Sequence, residues 1–427
     1  MAKLFTPADC YQLMNELVEQ ATGQKQIATV DGSNFVSCGE LVLETGKENV
    51  LNSLGIVVGR RKAAVRPYTA KLKNIDVSEP GLLSNVLLKD SFYSRAAVPS
   101  GAFNTDLYTN LATGFTAGEN VGGSPAAAQS TKSQWEQNLP VTLEMSFGVR
   151  DTWQDNSTIP EVQLQQAFNS VDSFNEFVSG YMMERANDLE SQKEGYNRLA
   201  LLNHIAAVYD FSANMKDSVV NLTKAFNDEF GTSYTSAQLR STYLKEFLEF
   251  FTAKIKIDSD RMTNRSLRYH WSPAKQVGGV DYVLLRHTPK DRQKLFLYRP
   301  MFVKAQSYVF PEIFNPQYLD INNYEGVDFW QNELNPEQIS FYPAIPDTST
   351  GKQTKGDKVD IDFMVGMLFD RDALMIEYQL ESATSTPMEA RKHFRNLWWT
   401  YEKGINSDLT ENCIIYIMAD PAETPGD

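Results

Sequence analysis

Apolar positions recur at spacings of three and four from Phe174 onward. Phe177 and Val178, Tyr181 and Met182, Ala186, Leu189, Tyr196, Leu199, Leu202 and Ala206 continue one stripe, the pattern of a long amphipathic helix. Ser173 and Glu176 stand ahead of it with capping-box spacing, so the spacing predicts a helix over 173–207. The apolar stripe itself, roughly 32 residues at about 1.5 Å each, makes a rod of about 48 Å. Gly180 and Gly195 lie inside it, each costing about 1 kcal/mol relative to alanine, and predict close packing or a bend. Thr235 and Gln238 form a second capping box before Leu239, Leu244, Phe247, Leu248, Phe251 and Ile255, which predicts another core-facing helix. A short helix is predicted over 7–20, where Pro7 suits a first turn and Tyr11, Met14, Leu17 and Val18 repeat helically.

Strand patterns surround the long helix. Val141, Leu143, Met145, Phe147 and Val149 alternate with polar residues and predict a strand over 139–149. Strands are also predicted over 55–61 and 63–72. Between 72 and 139 the chain carries Gly101, Gly114, Gly118, Gly122 and Gly123 with Pro99 and Pro125, a long stretch of a kind uncommon inside a compact domain. Flanked by strands, it predicts a long β-hairpin projecting from a body. Residues 23–54 are broken by glycine and asparagine and read as an extended arm. Beyond the second helix, strands are predicted at 295–298, 307–310, 363–369, 374–380 and 413–418, divided by polar loops such as 349–357. The order is arm, hairpin, long helix, then mixed elements, with no regular βαβ alternation and no internal repeat, so the class is α+β. A chain of 427 residues exceeds what one core usually supports, which predicts two or three lobes.

Charge narrows the functions. Forty basic and 54 acidic residues give a formal charge of −14, which repels polyphosphate and argues against a dedicated nucleic-acid binder. Positive charge clusters at Arg60, Arg61, Lys62, Arg66, Lys71 and Lys73. Tyr68 is the one aromatic there, so base stacking is not indicated. The cluster reads either as a solubilising strand face or as candidate contacts to acidic residues of another subunit. Cys10, Cys38 and Cys413 are odd in number and far apart, so free thiols and a reducing compartment are expected. The first twenty residues hold no continuous apolar signal core, and no run of about 18 apolar residues suits a membrane span. Asn156, Asn221 and Asn264 begin glycan-type triplets, expected to be chance matches without a secretory route.

Catalytic patterns are sparse. Neither GxxxxGK[ST] nor GxGxxG occurs, and His204, His270, His287 and His393 never stand at metal-ligand spacing. The segment 320–326 resembles the opening of a calcium loop, but its glycine comes one place late and Tyr324 replaces a polar ligand. Asp370 and Asp372 could be paired carboxylates, but Arg371 between them and the strand after them favour a turn between strands. No catalytic residue, metal or cofactor is expected, and no Ser, His and Asp set is locally legible.

The arrangement itself resembles a known family. The GIVVGR strand, the long hairpin, the return strand LPVTLEMSFGVRDTWQD and the helix SVDSFNEFVSGYMMERANDLESQKEGYNRLALL are similar to major capsid proteins of tailed bacteriophages. So is the closing pattern of strand, charged turn, strand and a long aromatic strand carrying Trp398, Trp399 and Tyr401. The resemblance is to short-tailed phages with the Hong Kong 97 fold; it covers most of the chain in order, without a diagnostic short motif, and residues 210–235 and 311–357 fall outside it. It implies an N-terminal arm over 1–59, an extended E-loop hairpin over 60–150, and a peripheral domain over 151–255 with its spine helix at 173–207. It further implies an axial domain over 256–390, with 391–427 returning to the peripheral domain. The implied function is self-assembly as hexamers and pentamers into an icosahedral head enclosing double-stranded DNA, not an enzymatic one. Portal and scaffolding proteins, and decoration proteins in some relatives, are the implied partners. The implied location is the virion, after assembly in the host bacterial cytoplasm, with no membrane. A tail or baseplate component would instead be β-rich without a spine helix, and an enzyme with a long active-site lid would need a deep pocket lined by perturbed titratable groups.

Overall fold

The computed structural model describes residues 11, 15, 18, 75–78, 87–94, 139–147, 150–160, 171–277, 280–301, 303, 323–348, 352–387, 391 and 394–420. Tyr11, Asn15 and Val18 are helical, and Val18 is buried, in line with the periodicity of the first twenty residues. The predicted strands over 55–61, 63–72 and 307–310 lie outside the described residues.

Among the described residues four strands precede the long helix: β1 (Asp76–Ser78), β2 (Leu87–Phe92), β3 (Thr142–Phe147) and β4 (Arg150–Pro160). Helix α1 spans Val171–Asp210, about 60 Å at the usual rise. It starts two residues before the predicted cap, so Ser173 is the third helical residue and not the N-cap. A short strand β5 (Val219–Asn221) and helix α2 (Leu222–Phe230) follow. Asn221 caps α2 by accepting the Thr223 and Lys224 amide hydrogens, and Gly231 at φ 63° closes it in the left-handed conformation, as a C-terminal glycine does best.

The second predicted helix is two helices, α3 (Ser236–Ser241) and α4 (Leu244–Met262). The Thr235–Gln238 capping box is present at the start of α3. The break falls at Tyr243, whose ring stacks on Tyr234 with centroids 4.1 Å apart; its N–H reaches back to the Gln238 carbonyl that Thr242 also uses. After a small ribbon of β6 (Lys275–Val277) and β7 (Val280–Tyr282) come β8 (Gln293–Tyr298) and β9 (Asn323–Val327). The latter places the end of the calcium-like segment in a strand. Short antiparallel pairs are made by β10 (Ile339–Phe341) with β13 (Val359–Ile361), and by β11 (Ala344–Pro346) with β12 (Gln353–Lys355). The polar stretch predicted as a loop over 349–357 thus contains a strand. The chain closes with β14 (Met364–Asp370), β15 (Leu374–Ser385), β16 (Phe394–Ser407) and β17 (Cys413–Ile417), and the Asp370 to Asp372 segment is the turn between β14 and β15.

Two sheets organise these elements. The five-stranded one, ordered β5-β17-β14-β8-β9, is the core. Every residue of β8, β14 and β17 is buried, which explains why they read as continuous apolar runs and not as alternating ones. Helix α4 packs on this sheet, where Phe251 meets Tyr416 edge-on at 5.5 Å. At Gly366 a Cβ would lie 2.5 Å from Leu297 Cδ2 and 2.7 Å from the Phe296 carbonyl oxygen, beside the register shift between β14 and β17. Only glycine fits there.

The second sheet is ordered β1-β15-β16-β4 and is built on the long β15–β16 antiparallel pair. Helix α1 packs against both sheets. Near its middle Tyr196 meets Trp153 of β4 edge-on at 6.0 Å. Further along, Ala200 to Leu202 and His204 to Val208 are buried, so the apolar stripe broadens into full enclosure. Leu199, placed in the stripe by spacing, is 40% exposed, because enclosure begins only at the next residue. A Cβ at Gly195 would meet nothing within 4 Å, so close packing does not explain that glycine.

Candidate functional site

The return strand predicted from alternation is present and pairs, among the described residues, with a strand that was not predicted; the predicted partner over 63–72 lies outside the described residues. β3 pairs antiparallel with β2 in the register Leu88↔Ser146, Lys89↔Met145, Asp90↔Glu144, Ser91↔Leu143 and Phe92↔Thr142. The partner strand escaped notice because its inward positions, Lys89 and Ser91, are polar, which hides the alternation. Directly opposed residues share a face of the ribbon, so it has an inner face with Lys89, Ser91, Leu143 and Met145. Its outer face carries Leu88, Asp90, Phe92, Thr142, Glu144 and Ser146, all exposed.

The inner face is fastened to the body through charge. Lys89 Nζ lies 2.5 Å from Asp408 Oδ2 and 2.6 Å from Glu411 Oε1. Arg286 joins from the other side: it pairs with Glu411 at 3.2 Å, donates to Ser91 Oγ at 2.7 Å and donates through Nε to the Thr410 carbonyl at 3.0 Å. Two cations thus meet two carboxylates. Burial works to lower the Lys89 pKa, yet Asp408 and Glu411 outweigh it and raise it above the ordinary lysine value. Burial pushes Glu411 up, with Lys89 and Arg286 pulling the other way.

The loop that supplies the carboxylates is itself rigid. Thr410 donates to Asp408 Oδ1 from both its N–H and its hydroxyl, at 2.8 and 2.7 Å. Asn412 Nδ2 donates to Thr288 Oγ1 at 3.1 Å, and Thr288 donates to Asp370 Oδ2 at 2.7 Å. His270 fills the space beside it, with Nε2 2.7 Å from the Leu284 carbonyl and Nδ1 3.1 Å from Asn412 Oδ1. Burial lowers the His270 pKa. Such satisfied polar networks fix one arrangement of the groups they join. The ribbon is further tied by Ser94, whose N–H and carbonyl pair with Val283.

A second polar feature lies where α1 crosses the outer sheet. Lys403 of β16 is 1% exposed, and its Nζ has no hydrogen-bond partner among the described residues. The ammonium sits 4.9 Å from the Trp153 ring centroid and 5.3 Å from that of Tyr196. Burial lowers its pKa, with Lys193 adding repulsion. Nearby, His204 Nδ1 lies 2.9 Å from Ser407 Oγ; full burial depresses its pKa to about 4.

The buried carboxylates are consumed by ion pairs, and among the described residues no group of three His, Cys, Asp or Glu side chains could hold a metal ion. Cys413 is buried with its pKa pushed up by burial. No helix is long and apolar enough to cross a membrane among the described residues. The sequence-predicted contact residues Arg60, Arg61, Lys62, Arg66, Lys71 and Lys73 lie outside the described residues. Lys89, Ser91, Arg286, Asp408 and Glu411 were not legible as a set, since Lys89 and Asp408 are 319 positions apart. The available signal was a lysine and a serine in the inward phase of β2.

A family model described as the Phi29-like phage major capsid protein matches residues 126–417, a stretch that holds β3, α1 and both sheets except β1. No curated protein matches the chain by sequence. The capsid structure of Staphylococcus phage Andhra is similar over 83% of this chain and 86% of that chain, at 10% identity and a TM-score of 0.49. The capsid of cyanophage P-SCSP1u is similar over 84% and 90%, at 12% identity and a TM-score of 0.41. That of cyanophage Pam1 is similar over 84% and 92%, at 11% identity and a TM-score of 0.36.

Proposed function

Because the chain belongs to the Phi29-like phage major capsid proteins, we propose that it assembles with copies of itself, as hexamers and pentamers, into the icosahedral shell enclosing the phage's double-stranded DNA. Its place is the virion, and its role is structural. The observation that carries the assembly reading is the β2–β3 ribbon. One face of it is fixed to the body by four charges, while the other presents Leu88 and Phe92 at 58% and 61% exposure. A two-stranded ribbon has too little core of its own to be stable alone, and burial against a neighbour would cover those side chains.

On this reading the chain follows the Hong Kong 97 plan. Residues 1–59 form the N-terminal arm and 60–150 the extended hairpin, of which the ribbon is the root. Residues 151–255 form the peripheral domain, with α1 as its spine, 256–390 the axial domain, and 391–427 the return to the periphery. Arg60, Arg61, Lys62, Arg66, Lys71 and Lys73 serve as intersubunit contacts. Assembly takes place in the host cytoplasm with scaffolding and portal proteins, and decoration proteins are added afterwards without altering this role. The acidic balance of −14 suits a wall that encloses DNA without adhering to it.

Deletion of 101–123 tests the hairpin assignment. The subunit should fold, with its circular dichroism and melting temperature preserved, and closed shells should be absent from negative-stain images taken with scaffold present. Shells formed in normal yield by the deleted protein would contradict the assignment.

A further inference from the structure

We infer that the outer face of the β2–β3 ribbon is the docking site for the basic segment 60–73 of a second copy of this chain. This rests on the assembly reading above and goes further by naming both halves of one contact. Asp90 and Glu144 stand directly opposite each other on that face, and both are exposed. Like charges so placed weaken a strand pair, and neither carboxylate has an ion-pair partner among the described residues. The ribbon holds them there nonetheless, because the charges under its inner face anchor Lys89 to the body. Leu88 and Phe92 flank Asp90 along the strand, so the face is a short apolar strip with two negative charges at its centre.

The complementary surface is in the same sequence. Residues 60–73 carry Arg60, Arg61, Lys62, Arg66, Lys71 and Lys73, without a single acidic residue, in a chain whose net charge is −14. Val65, Tyr68 and Leu72 are interspersed among them, matching the apolar strip as the cations match the carboxylates. Two residues after Lys73, Ile75 is buried in its own core. The outer face is turned away from the Asp408–Glu411 loop that holds the inner one, so in an assembly of copies it is open to a neighbour's segment. A contact in which each copy gives its segment to the next and receives one on its ribbon is heterologous, the kind that closes into a ring when the rotation between copies allows it.

The test uses two charge-reversed full-length proteins, one carrying Asp90→Lys with Glu144→Lys, the other reversing all six cations of the segment through Arg60→Glu, Arg61→Glu, Lys62→Glu, Arg66→Glu, Lys71→Glu and Lys73→Glu. Melting curves establish that each subunit is folded, and shell yield with scaffold is measured by sedimentation. Each protein alone should lose about tenfold or more in yield, since like charges facing each other across an interface cost several kcal/mol. Mixing the two should restore shells, because each then offers the other an opposite partner. Unchanged yield from either protein alone would overturn the inference. So would rescue only when all eight substitutions are placed in one chain and not on mixing, which would put the segment on its own ribbon. Failure of the unaltered protein to form shells would instead refute the assembly reading itself.

Discussion

His204 shows how a single enclosed side chain sets a pH limit. It is fully buried near the end of α1, with its folded pKa depressed to about 4 against about 6.5 in an unfolded chain. Between those values the unfolded state takes up a proton that the folded state refuses. The contribution is therefore intact above about pH 6.5 and is lost as pH falls toward 4, amounting to about 3 kcal/mol. Replacing His204 with leucine should flatten the fall in melting temperature of the unassembled subunit between pH 7 and 4.5; an unchanged slope would place the acid sensitivity elsewhere. Lys403 poses the opposite question, because its ammonium is enclosed with aromatic faces but no acceptor. A cation over rings gains about 1–2 kcal/mol, less than its desolvation costs. Lys403→Met should raise the melting temperature by the equivalent of about 1 kcal/mol, and a lower one would mean that the cation holds the α1 and β4 contact together. Gly195→Ala should also stabilise, by about 1 kcal/mol, because the added methyl meets open space; a loss on thermal melting would contradict this.

At the scale of elements, what could be read in advance followed local periodicity, and what could not depended on distant partners. The Thr235 cap, the β3 alternation and the buried runs of β8, β14 and β17 are encoded within a few neighbouring residues, and each is present. The start of α1 was misplaced because Ser173 and Glu176 satisfy a capping pattern that the helix simply runs through. β2 was missed because Lys89 and Ser91 are polar in sequence and become inward-facing only when Asp408, Glu411 and Arg286 arrive from the other end of the chain. The same dependence makes the ribbon separable. Lys89→Met should leave two buried carboxylates against Arg286 alone, at a cost of about 2 kcal/mol or more. Amide hydrogen exchange should then accelerate in β2 and β3 while β14 and β17 stay protected, as expected of a locally opening unit. Equal protection of the ribbon in both proteins would show that the ion pairs are not what holds it.

At the scale of the whole molecule, α1 links the two sheets. It contacts β15 and β16 of the second sheet and also β10, β11, β13 and β17, so one rod of about 60 Å touches both sheets. The ribbon leaves this frame from the loop between the sheets, since Asp408 and Glu411 lie between β16 and β17. Its outer face therefore has a fixed orientation relative to both. That geometry suits repeated, identical contacts between copies better than it suits a pocket. The family was legible in the order of elements, whereas the ribbon's anchor was not, because Lys89 and Ser91 looked like part of an ordinary polar strand. The mass of the native particle tests the central claim most directly. For a subunit of 48.2 kDa, sedimentation of protein expressed with its scaffold should give closed particles in the megadalton range, and a population consisting only of monomers or small oligomers under those conditions would contradict it.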